Sequence, residues 1–110
     1  MNQAQSSLKS IFLNALHDKR KVLVRFYSKE DGTVLSRVCA PMDYGPSRRV
    51  KDSSDRFHLW DFSSDVKAHT LSLKLNQIVA MESLPDTFDP SLFVTWKPDW
   101  IVPRNWGIYS

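Results

Sequence analysis

Leu8, Ile11, Phe12, Ala15 and Leu16 fall at i, i+3, i+4, i+7 and i+8. That spacing lays one apolar stripe along an amphipathic helix, with Ser6 or Ser7 placed to cap it and an end near His17 to Lys19. Lys19, Arg20 and Lys21 would then face the negative end of the helix dipole, which accounts for them without a ligand. From Val22 to Ser28 the period changes to two. Val22, Val24 and Phe26 share one face, and Leu23, Arg25 and Tyr27 the other. Glu30-Asp31-Gly32 predicts a hairpin turn, since glycine accepts the positive φ that such turns need. The returning strand runs from Thr33 to about Ala40 and is expected to stop at Pro41, which has no N–H for a ladder.

Gly45-Pro46-Ser47 opens a polar loop that continues to Asp55. Alternation then resumes over Arg56 to Phe62 and again over His69 to Leu75. A corner at Asn76-Gln77 leads into a fifth strand from Ile78 to about Ser83, and the pattern ends after Pro85. Asp89-Pro90 reads as an N-cap followed by proline at N1, opening a short helical turn through Phe93. From Thr95 the chain carries Trp96, Trp100 and Trp106 between Pro98 and Pro103. This stretch is too aromatic for a disordered linker and too interrupted for a helix, so it should lie across the sheet or against a partner. One helix followed by about five short antiparallel strands predicts a mainly β fold, a small and strongly bent sheet or barrel. The expected division is a helix-plus-barrel domain over residues 1–94 and a Trp/Pro-rich tail over 95–110.

Composition narrows the class more than the chemistry. A chain of 110 residues with 42% hydrophobic and 25% charged residues suits one folded domain with a single core. No apolar run approaches the roughly 20 residues needed to cross a bilayer, and the N-terminus lacks a secretory h-region. A single cysteine, Cys39, excludes an internal disulfide. The expected setting is the cytoplasm, with no membrane partner. Net charge is +3, but residues 1–56 hold 11 Lys/Arg against 6 Asp/Glu, while residues 57–110 hold 4 against 6. The basic first half is compatible with an anionic partner and equally with solvated strand edges.

Alternation also selects a candidate surface. With Phe57, Leu59, Leu71, Leu73 and Leu75 turned inward, His58, Trp60, Ser72 and Lys74 turn outward, as do Arg25 and Tyr27. Such a face offers rings for base stacking, worth roughly 1–3 kcal/mol per base, and cations for phosphate. The alternative is that Trp60 and Tyr27 pack beneath the helix or the tail. Arg48, Arg49 and Lys51 form the densest basic cluster, either an anion clamp beside that face or a solvated loop partly neutralised by Asp52 and Asp55. His17, His58 and His69 lack metal-ligand spacing, and neither a glycine-rich phosphate loop nor a hydrolase motif is present. No cofactor, metal or enzymatic activity is expected.

Four segments in order resemble the WYL domain, a ligand-sensing module of bacterial transcription regulators. Phe57-His58-Leu59 stands at the family's name tripeptide, and Leu71-Ser72-Leu73-Lys74-Leu75-Asn76-Gln77-Ile78 at its arginine-rich strand. Ala40-Pro41-Met42 and Thr87-Phe88-Asp89-Pro90 resemble the flanking elements, so the resemblance spans Leu8 to about Phe93 and leaves the tail outside. It implies an SH3-like or Sm-like barrel preceded by a helix, binding a nucleotide, oligonucleotide or other anion to control a DNA-binding partner. The sequence departs from the pattern where it matters for charge. Leu71, Lys74 and Gln77 stand where the family has three arginines, so the bidentate guanidinium fork is lost. No helix-turn-helix is expected ahead of the domain, so the chain alone is not expected to be a complete DNA-reading regulator.

The expected function is therefore a non-enzymatic regulatory binding module for a nucleotide or single-stranded nucleic acid. Its ligand-binding residues would be Arg25, Tyr27, His58, Trp60, Ser72 and Lys74. The competing reading is a protein–protein adaptor or homodimer built on Trp96, Trp100 and Trp106, since tryptophan is enriched at interface hot spots. An RNA-binding ring of paired barrels is a third.

Overall fold

A computed structural model describes residues 3–47, 54–63 and 70–110 of the chain. Helix α1 (Gln3–Asp18) is followed by β1 (Arg20–Ser28), β2 (Thr33–Pro46), β3 (Asp55–Asp61), β4 (Thr70–Leu73) and β5 (Ile78–Thr87). The five strands form one antiparallel sheet in the order β4-β3-β2-β1-β5. The sheet's two edges, β4 and β5, are joined only by Lys74 and a 3-10 turn at Leu75–Gln77. A connection that short brings opposite edges together at one end, so the sheet must curl strongly. The expected helix and five antiparallel strands are thus present.

Four boundaries differ from the sequence reading, each for a local reason. Gln3, Ala4 and Gln5 are good helix formers, and α1 begins there, leaving Ser6 and Ser7 inside the helix instead of at its cap. Lys19 takes φ +54 and turns the chain out of α1, so Arg20 and Lys21 open β1 and do not complete a last helical turn. The Lys21 ammonium lies over the Phe62 ring at 4.7 Å. β2 runs straight through Pro41 to Pro46. Val38 donates to Ser63 Oγ and accepts from Phe62 N, so its polar groups face β3. By alternation Pro41 directs its missing donor toward β1, beyond the last β1 pair at Val22↔Cys39. The strand therefore loses no ladder bond. β5 likewise passes Pro85, which falls in a register irregularity between the pairs Val22↔Ser83 and Arg20↔Thr87, on an edge strand where proline is tolerated.

The interior follows the alternation. Val22, Val24 and Phe26 of β1, Phe57 and Leu59 of β3, and Leu73 of β4 are buried with Phe12 and Leu16 of α1. Phe12 meets Phe57 edge-on at 5.1 Å between centroids, fixing the helix over the curled sheet. Cys39 is fully buried, and desolvation pushes its thiol far above the usual range, which leaves it a packing residue. The hairpin turn is as expected: Gly32 has φ +66 and donates to Ser28 O at 2.8 Å, while Ser28 Oγ donates to Asp31 at 2.7 Å. Asp89 accepts from Ser91 N at 3.0 Å and caps a 3-10 turn at Pro90–Leu92, as Asp89-Pro90 predicted.

The tail strapped across the sheet

Residues 95–110 fold back with a 3-10 turn at Gly107–Tyr109, and a buried ion pair anchors them to β2. Asp43 of β2 is 8% exposed and accepts from the backbone N–H of Ile101 and Val102, both at 2.9 Å. Arg104, whose side chain is fully buried, reaches the same carboxylate at 3.2 Å and donates to the carbonyls of Met42 and Val102. Its guanidinium is sandwiched between Trp100 at 4.2 Å and Trp106 at 4.4 Å. Burial pushes the Arg104 pKa down to about 10, and Asp43 opposes that shift.

Trp106 is only 3% exposed and packs against Phe88 and Phe93. Its indole N–H donates to Leu16 O at 2.9 Å, satisfying a carbonyl near the C-terminal end of α1. Trp106, expected at an interface, is thus an interior residue of this chain. Gly45 shows how closely the strap lies on β2. It has φ +151, and a Cβ there would come within 2.6 Å of Ile101.

Candidate functional site

The outward face of β3 and β4 is a two-column array set by the register. Trp60 pairs with Thr70 and His58 with Ser72, and Arg56 and Lys74 continue the two columns toward the 3-10 corner. Alternate residues along a strand share a face, so one surface carries Arg56, His58 and Trp60 beside Thr70, Ser72 and Lys74.

Two grooves open along this array and meet at Ser72. The first, of about 530 Å³, is lined by Tyr27, Lys29, Arg56, Ser72, Lys74, Asn76 and Gln77. It holds three basic side chains, amide donors and a phenol ring, and none of the described residues that line it is acidic. Gln77 Oε1 accepts from Lys74 N at 3.1 Å, so the corner itself positions this wall. The second groove, also about 530 Å³, runs between the sheet and the strap. Its lining includes His58, Thr70, Ser72, Trp96, Asp99 and Trp100. Trp96 is 48% exposed and stands edge-on to Trp100 at 6.0 Å.

The sequence-predicted residues divide between these grooves and the interior. Tyr27, Ser72 and Lys74 line the basic groove. His58 lines the second, but both ring nitrogens are committed within the fold. Nε2 lies 2.9 Å from Gly45 O, which can only accept, so in the neutral ring Nε2 carries the proton and Nδ1 accepts from Ser72 Oγ at 2.8 Å. His58 thus ties β2 to β4 across β3. Trp60 is half-buried and stacks on Phe93 at 5.6 Å, so one ring face is covered by the chain that follows β5. Arg25 is exposed on β1 and lines neither groove. The clamp residues Arg48, Arg49 and Lys51 lie outside the described residues. Trp96 and Trp100 border the second groove.

Lys29, Arg56, Asn76 and Gln77 line the basic groove but escaped the alternation argument, the last two because they lie in the 3-10 corner. Lys29 follows β1 in the turn, where no face is defined by period two. Arg56 was read as the start of a strand, and its place in the same outward column as His58 was the signal available. Among the described residues, no group of three or more His, Cys, Asp or Glu side chains is placed to hold a metal ion. No helix of the described residues is long and apolar enough to cross a membrane.

No family model matches the chain, and no curated protein matches it. Among solved structures it is similar to proteasome accessory factor B/C (PafBC) of Arthrobacter aurescens, with a TM-score of 0.64 and 17% identity. The match covers 94% of this chain and 14% of PafBC. The likeness is one of fold, and the chain corresponds to a small part of that protein.

Proposed function

We propose that this chain is a non-enzymatic regulatory binding module for an anionic effector, a nucleotide or single-stranded nucleic acid. One observation carries the reading: Lys29, Arg56 and Lys74 converge on a groove beside Tyr27. Cations around a concave polar site favour phosphate, and the phenol ring offers a stacking surface. The fold likeness to PafBC supports a distant WYL-like relationship and is compatible with a regulatory role. Lys74 in place of the family's middle arginine makes phosphate contact through a point charge and not a fork.

The test is titration with a short single-stranded oligonucleotide at increasing salt. Affinity should fall steeply as salt rises, and Lys29→Ala and Lys74→Ala should each weaken binding several-fold without shifting the thermal melt. If both variants bind like the parent, the basic groove is not the site.

A second reading rests on the exposed apolar residues Leu92, Trp96, Ile101 and Ile108, 44–86% accessible, which suit an adaptor or homodimer surface. A monomeric mass by light scattering at high protein concentration would remove the homodimer.

A further inference from the structure

The two grooves share a wall at Ser72 yet differ in chemistry. The first is basic. The second is lined by Asp99, by Asp43 already engaged with Arg104 and the strap backbone, and by the Trp96 and Trp100 rings. Carboxylates repel phosphate, so a ligand's phosphate is confined to the first groove. The half-exposed indole of Trp96 provides a stacking platform there.

We propose that the strap builds a nucleobase subsite adjoining the phosphate groove, so that the ligand is a strand of at least two nucleotides, not a mononucleotide. This rests on the function proposed above and goes beyond it by assigning a length requirement and a residue that reads it. A phosphate would sit among Lys29, Arg56 and Lys74, and the neighbouring base would pass over Ser72 to stack on Trp96. The columns from Lys74 to Thr70 advance about 3.3 Å per residue, so the combined site extends about 13 Å along β4. A single nucleotide held by its phosphate at the Lys74 end would leave the strap end unfilled.

Calorimetric titration of the full chain with deoxyadenosine monophosphate and with a short single-stranded oligodeoxyadenylate separates the possibilities. The oligonucleotide should bind at least tenfold more tightly than the mononucleotide. Trp96→Ala should erase most of that advantage, a loss of roughly tenfold for one stacked base, while mononucleotide affinity stays the same. Trp96→Phe should restore part of it, because a smaller ring still stacks. The thermal melt of each variant identifies any loss of fold. Equal affinity for the two ligands, or a parallel loss for both on Trp96→Ala in a folded protein, overturns the subsite and leaves the basic groove standing. Absence of binding by either ligand overturns both.

Discussion

Lys19 takes a backbone conformation that side chains with a Cβ resist. It leaves α1 with φ +54, a position usually given to glycine. Holding a non-glycine residue there costs roughly 1 kcal/mol. Its N–H reaches back to Leu16 O at 3.4 Å, and its own carbonyl accepts from Phe88 N at 2.9 Å, so the turn is fixed at both ends. Lys19→Gly should stabilise the protein by about 0.5–1 kcal/mol, read as a rise of a few degrees in melting temperature. A fall would mean that the lysine side chain contributes more than its backbone costs. The helix end near Lys19 was legible from the apolar stripe, but the positive φ was not, since a lysine carries no sign of the conformation that glycine usually takes.

At the scale of elements, the strap and the sheet were legible to different degrees. Period-two alternation identified Val22, Val24, Phe26, Phe57, Leu59 and Leu73 as core, because a strand's faces are fixed by its pleat. It missed the extension of β2 through Pro41, since which neighbour a proline faces depends on where the adjacent strand ends. The strap has no period at all. Its anchor joins Asp43 to Arg104 across 61 residues, and no local pattern encodes that pair. The same holds for Trp60, whose partner Phe93 could not be chosen in advance from among the aromatic residues.

The anchor has a measurable worth. Arg104→Ala would leave the Asp43 carboxylate buried with only the backbone N–H groups of Tyr44, Ile101 and Val102 as donors and open a gap between two indoles. Removing one partner of a buried pair costs about 3–5 kcal/mol, and denaturant unfolding should show that loss. A change below about 1 kcal/mol would show that the strap is held mainly by Trp106.

For the whole molecule, the strap belongs to the same core as the sheet. Phe88, Phe93 and Trp106 form one aromatic cluster, and Trp106 alone is worth about 3–5 kcal/mol by analogy with other buried large-to-small changes. Natural domains hold only about 5–15 kcal/mol in total. Truncation after residue 94 should therefore abolish the cooperative thermal transition, measured by circular dichroism. A truncated chain that still melts cooperatively would show that residues up to 94 fold on their own. The expected division at that point would then describe a separable strap.

The hydrogen bond from Trp106 to Leu16 bears on how the protein is made. A ribosome releases Leu16 long before it has polymerised Trp106, and 90 residues separate donor from acceptor. Until then the Leu16 carbonyl has only the longer bond from Lys19 N–H, and the apolar surface around Phe88 and Phe93 lacks its Trp106 cover. Closure of this core must await synthesis of the chain through Trp106. Slow codons or a stall between Phe93 and Trp106 would prolong a sticky, half-built chain, whereas the same delays before β1 would cost little.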